Sequence, residues 1–219
     1  MDMDDYVFRI AFFLLFSALT AIRSYYKIVT RSFATGLFPM GEGVVLIAIR
    51  AVLGVPLFGA TFLYAVLPGK AAWMEVPVPV GLRLVGVGGG VLALVVLAWA
   101  HHALGRNFST TLVIKPQHRL VRRGPYRRVR HPIYSSYFLL FCSAFLISQN
   151  WVIGGAGLGI ILSLMTIRLW KEERLLEQRF GEEYIAYAET AGRFFPIVLR
   201  GKPREILAFL NTPPRRRVN

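Results

Sequence analysis

Apolar residues run almost unbroken through five stretches, about Tyr6 to Ile22, Val44 to Val66, Leu82 to Leu104, Ile133 to Ser148 and Trp151 to Trp170. A bilayer core about 30 Å thick is crossed by about 20 apolar residues in helical form, so each stretch predicts a transmembrane helix. The second carries Arg50 within it. The last two are parted only by the polar pair Gln149-Asn150, which predicts an antiparallel hairpin. The fourth is short for a crossing; local thinning of the bilayer accommodates it, and a four-span chain with a re-entrant hairpin is the structural alternative. Beyond the fifth, Leu175, Leu176, Phe180, Tyr184 and Tyr187 recur at helical spacing, so the last span continues as one amphipathic cytoplasmic helix.

The fold class predicted is therefore an all-α integral membrane protein with about five transmembrane helices, a C-terminal helical hairpin and a cytoplasmic amphipathic extension. Residues 1–99 hold spans one to three, 100–196 the chemistry-bearing region, and 197–219 a basic tail.

Composition agrees: 55% of the residues are hydrophobic and only 17% charged, against about 25% charged in soluble domains. Yet the net charge is +14, from 26 Lys and Arg against 12 Asp and Glu. Five crossings with the N-terminus outside place 22 of those 26 basic residues on one side, which the retention of Lys and Arg in the cytoplasm favours. An even number of spans spoils this segregation. The expectation is a protein of the cell inner membrane with a cytoplasmic C-terminus. The acidic start Met1-Asp2-Met3-Asp4-Asp5 is unlike a secretory signal, so the first span reads as retained. Lone Cys142 excludes an intrachain disulfide framework.

The glycines of Gly86-Val87-Gly88-Gly89-Gly90 and Gly154-Gly155-Ala156-Gly157-Leu158-Gly159 lie inside spans, where small residues let helices approach. No strand precedes them to make a dinucleotide turn. His101-His102 suits the C-terminal end of the third span as an interfacial cap, and no Cys/His cluster has zinc-site spacing, so no metal is expected. Arg215-Arg216-Arg217 reads as a contact for anionic headgroups. Nucleic-acid binding is set aside, because topology already accounts for basic residues flanking spans.

Two segments ask for more than topology. In the first, His118 to Tyr134, Gly124-Pro125 makes a turn and Pro132 opens the fourth span, where its missing N–H costs nothing. Arg130 and His131 then lie beside a helix N-terminus, a setting that favours a carboxylate or phosphate. In the second, Arg168 and Glu172 share a helical face and Glu173 follows; carboxylates at the foot of a membrane helix are costly unless paired or solvated.

Together the segments resemble the isoprenylcysteine carboxyl methyltransferase family. Arg130-His131-Pro132-Ile133-Tyr134 is similar to its Arg-His-Pro-x-Tyr element and Glu172-Glu173 to its downstream acidic pair. Leu104 to Ser109, Gly124-Pro125-Tyr126 and Phe180-Gly181-Glu182-Glu183-Tyr184 agree as flanks. The resemblance covers about residues 100 to 196. It implies a membrane methyltransferase that uses S-adenosylmethionine without a Rossmann domain. It further implies a cofactor pocket lined by His118, Arg119, Leu120, Val121, Tyr126, His131, Pro132, Ile133 and Tyr134, closed by Glu172 and Glu173, with Arg168 orienting the acceptor.

The residue types suit that chemistry. A carboxylate such as Glu172 accepts from a ribose diol, and donors near His131 suit the cofactor's own carboxylate. Arg130 contacts the cofactor or pairs with Glu172 or Glu173. A carboxylate acceptor such as isoprenylcysteine is already nucleophilic, whereas a phospholipid amine or a thiol must lose a proton. Two other readings are an NADPH-dependent membrane reductase, since sterol reductases carry a similar Arg-His-Pro-x-Tyr element, and a protein that only holds anionic lipid.

Overall fold

The structure is a computed structural model that describes residues 3–30, 43–67, 70, 72–105 and 119–197. His118 and the basic tail lie outside the described residues. The described chain is helical: α1 (Met3–Val29), α2 (Val44–Val66), α3 (Val80–Leu104), α4 (Pro132–Ser148), α5 (Trp151–Ser163), α6 (Leu169–Phe180) and α7 (Glu182–Thr190). A π-helical turn, Leu164–Arg168, joins α5 to α6, with the Leu169 N–H reaching the Leu164 carbonyl.

In α1, Phe8, Phe12, Leu15 and Leu19 form a buried stripe at helical spacing, and α1 packs on α3 and α4. Outward residues such as Val52, Val55, Phe58, Val85 and Val95 remain exposed. Apolar surface this extensive is untenable in water and suits lipid. Four helical rods, Met3–Val29, Val44–Val66, Val80–Leu104 and Trp151–Phe180, are long and apolar enough to cross a membrane.

The fourth apolar stretch forms the shorter helix α4, 17 residues or about 25 Å at 1.5 Å per residue. It nevertheless joins the two ends of the bundle. At one end Arg83 of α3 pairs with Asp5 of α1 at 2.8 Å and donates to the Ile147 carbonyl near the end of α4. Arg9 of α1 there donates to the Tyr64 carbonyl at the end of α2. Starts of α1 and α3 thus meet ends of α2 and α4, so consecutive helices run antiparallel.

The hairpin turn is tight. Gln149 adopts a left-handed conformation, φ 56°, and the buried Asn150 caps α5 by accepting from the N–H groups of Val152 and Ile153 at 3.0 and 3.1 Å. The Val76 N–H donates to the Gln149 carbonyl, clamping the turn to the α2–α3 connection. Glycine contacts are as expected for close packing: a Cβ on Gly86 would lie 2.8 Å from the Leu146 Cβ.

The amphipathic extension differs from the single helix predicted. Gly181, at φ 53°, breaks it into α6 and α7, because the left-handed region open to glycine ends one helix and turns the chain back. Tyr184, Tyr187 and Ala191 then form a buried cluster with Leu120, Leu176 and Phe180 against it.

Candidate active site

The segment before α4 is held from below and behind. Gly124 adopts φ +60°, and a Cβ there would lie 3.1 Å from the Trp99 indole nitrogen, so only glycine lets this turn sit against α3. Gly124–Arg127 forms a 3₁₀ turn with Pro125 near its start. His131 is the N-cap of α4 and Pro132 its first residue, as its missing N–H predicts.

The chain after α7 returns to brace this loop. The Arg130 N–H donates to the Gly192 carbonyl at 2.7 Å, the His131 N–H to the Arg193 carbonyl at 3.0 Å, and the Gly192 N–H to the Arg128 carbonyl at 3.0 Å. The Ser135 hydroxyl donates to the Phe194 carbonyl. Pro132 is wholly buried and His131 nearly so, which secures the direction of the imidazole.

Against this loop α6 presents its two glutamates, and they differ. Glu173 meets three basic side chains: His131 Nε2 lies 3.1 Å and an Arg130 terminal nitrogen 3.4 Å from Oε1, while Arg193 grips both carboxylate oxygens. Glu172 accepts instead from the Tyr134 hydroxyl at 3.2 Å. Arg130 therefore pairs with Glu173, one of the roles left open by the sequence. Its Nε is buried without a hydrogen-bond partner among the described residues, so a donor remains to be satisfied.

Tyr126 and Tyr134 stand around Glu172. Burial, then the charge of Glu172, pushes the Tyr126 hydroxyl well above its ordinary value. Burial, then the charge of Glu173, raises Tyr184 to about 12. Both are neutral phenols at ordinary pH, able to donate and poorly able to serve as bases.

Among the other residues expected in the site, Leu120 packs on the Tyr184–Tyr187 cluster, and Val121 and Ile133 pack on Ala100, Ala103 and Tyr126. Arg119 is exposed. Arg168 is half-buried at the end of the π turn, one helical turn before Glu172. Among the described residues there is no group of three metal-ligating side chains.

Two contributors were not singled out in the sequence. Arg193 lies in Gly192-Arg193-Phe194-Phe195-Pro196, where a solitary cation in an uncharged run was the available signal. Arg122 pairs with Glu183 at 2.9 Å, which ties the Phe180-Gly181-Glu182-Glu183-Tyr184 element to the loop.

Residues 85–178 match the isoprenylcysteine carboxyl methyltransferase (ICMT) family. Over that segment the chain is similar to this family. Its similarity to ICMT-family proteins extends to protein-S-isoprenylcysteine O-methyltransferase B of Arabidopsis thaliana, 29% identical over 96 residues, which are 43% of this chain and 49% of that protein. A probable protein-S-isoprenylcysteine O-methyltransferase of Oryza sativa subsp. indica is 30% identical over 121 residues, 54% of this chain and 61% of that one. The match thus spans about half to three fifths of these relatives. In fold, the chain is similar to the eukaryotic intramembrane Ras methyltransferase ICMT, with a TM-score of 0.50 and 22% identity over 73% of this chain and 55% of that one. The ICMT membrane fold agrees with the helical bundle described above.

Proposed function

We propose that the chain transfers a methyl group from S-adenosylmethionine to a lipid-like carboxylate at the membrane boundary, an isoprenylcysteine being the acceptor named in its relatives. The observation that carries this reading is the division of labour between adjacent glutamates. Glu173 is neutralised by the Arg130-His131 loop and Arg193, whereas Glu172 accepts from a neutral phenol, Tyr134.

The residues fit the cofactor. Glu172 suits a ribose diol, and the buried Nε of Arg130 suits a carboxylate. When bound, S-adenosylmethionine supplies an electrophilic methyl group on a sulfonium. The protein's part is to position and to exclude water, since in-line transfer needs the nucleophile about 3 Å from the methyl carbon. Glu173 keeps Arg130 and His131 in place; Tyr126, Tyr134, Leu120, Val121, Pro132 and Ile133 wall the site. Arg168 orients the acceptor carboxylate through charge-assisted hydrogen bonds. A carboxylate needs no general base, consistent with tyrosines kept neutral by burial.

In this reading residues 100–196 form the catalytic unit and 1–99 its membrane support. The site faces the cytoplasm, the side to which the positive-inside rule assigns most of the basic residues. Isothermal titration of the detergent-solubilised chain with S-adenosylmethionine and its demethylated product, beside labelled-methyl transfer to farnesylated cysteine, tests it. Saturable binding abolished by Glu172→Ala is expected; no binding of either compound by the wild-type chain sinks it.

A further inference from the structure

A second concavity lies beside the glutamate site, and none of the residues holding Glu172 or Glu173 line it. This groove, about 640 Å³, runs between α3 and the loop before α4, with Val96, Trp99, Pro132 and Phe194 among its apolar walls and the basic Arg127 and Arg128 also lining it. We propose that it binds one anionic phospholipid, its acyl chain along Val96 and Trp99 and its phosphate diester between Arg127 and Arg128.

Three observations carry the assignment. Val96 and Trp99 belong to a helix long and apolar enough to span, and Trp99 is 53% exposed, so the lower part of the groove opens to the hydrocarbon. An aromatic residue near the end of a span sits at headgroup depth, which brings the two arginines level with lipid phosphates. Both are exposed, and neither forms an ion pair with a carboxylate among the described residues. The other loop arginines next to acidic side chains are engaged, Arg122 with Glu183 and Arg130 with Glu173. Unbalanced cations above an apolar trough complement a group that is anionic at its head and apolar below. A zwitterionic lipid satisfies the trough but brings its own cation to the arginines.

The proposal stands independently of methyl transfer. The full chain is placed in phosphatidylcholine nanodiscs containing graded fractions of phosphatidylglycerol brominated in its acyl chains, and tryptophan quenching is followed. Quenching by brominated phosphatidylglycerol should saturate at low mole fraction, and brominated phosphatidylcholine should show no such phase. Trp99→Phe should remove the saturable phase, and Arg127→Gln/Arg128→Gln should weaken it about 25-fold, roughly fivefold for each basic residue. Arg127→Lys/Arg128→Lys should largely retain it, and unchanged circular dichroism should show that each variant is folded. Equal quenching by the two lipids, or a preference that survives Arg127→Gln/Arg128→Gln, overturns the proposal. Displacement of the brominated lipid by millimolar inorganic phosphate, or by farnesylated cysteine, also overturns it, by assigning the groove to free anions or to the methyl acceptor.

Discussion

Arg193 and Glu173, twenty residues apart, form a two-point ion pair, with Arg193 Nε 3.3 Å from Glu173 Oε1 and a terminal guanidinium nitrogen on Oε2. The fork matches a carboxylate's geometry in a way a lysine cannot. Through this pair the chain beyond α7 is fastened to α6, while its backbone is fastened to the Arg130-His131 loop. One carboxylate therefore organises three separate pieces of the site.

Glu173→Gln should lower unfolding stability in detergent by about 3 kcal/mol, because removing one partner from a largely buried cluster leaves the arginines opposed. The Glu173 side chain is 12% exposed, whereas that of Arg193 is 44% exposed. Arg193→Lys should accordingly cost only about 1 kcal/mol. Denaturant unfolding followed by circular dichroism compares the two, and equal losses would contradict the central place given to Glu173.

Glu172→Gln and Tyr134→Phe should separate binding from structure. Glu172→Gln replaces one of the two accepting oxygens with a donor and removes the charge, so two-point acceptance from a diol is lost, and it should weaken S-adenosylmethionine binding at least tenfold, about 1.4 kcal/mol. Tyr134→Phe removes one neutral donor and should weaken it less, by about threefold. Titration calorimetry reads both; an undiminished affinity in Glu172→Gln argues against its role.

Gly86→Ala and Gly88→Ala form a matched pair in α3. A methyl on Gly86 meets Leu146 Cβ at 2.8 Å and the Ser143 carbonyl at 3.2 Å, whereas one on Gly88 meets nothing within 4 Å. Overpacking typically costs about 1–3 kcal/mol, so Gly86→Ala should lower thermal stability and Gly88→Ala should not.

Asn150→Ala should destabilise the hairpin by about 1–2 kcal/mol, since two N–H groups of α5 lose their acceptor. Asn150→Asp keeps a capping oxygen and should cost less in the same thermal unfolding assay.

Much of this was legible because the signals were local. Apolar run lengths marked the five helices, and the Gln149-Asn150 break marked the turn. Pro132 marked the start of α4, and the Arg-His-Pro-x-Tyr and Glu-Glu elements marked two segments that the fold brings into contact. The break at Gly181 was less legible, because Leu176, Phe180, Tyr184 and Tyr187 keep a helical rhythm across it. The rhythm survives because both helices bury their aromatic faces in contact with the same cluster. Arg193 was silent for another reason: its partner is remote in sequence, and no periodic pattern links a return segment to a helix twenty residues earlier.

The sequence by itself determined that this is a helical membrane protein, since crossing a bilayer depends on the length of the apolar runs. It also brought the loop and the two glutamates under suspicion as one site. Only the tertiary structure decided which partners each glutamate meets. Neighbours on a helix point about 100° apart, so Glu173 falls among Arg130, His131 and Arg193 while Glu172 falls against Tyr134. That assignment depends on how α6 is rotated against α4 and on where the chain after α7 returns, which are matters of packing.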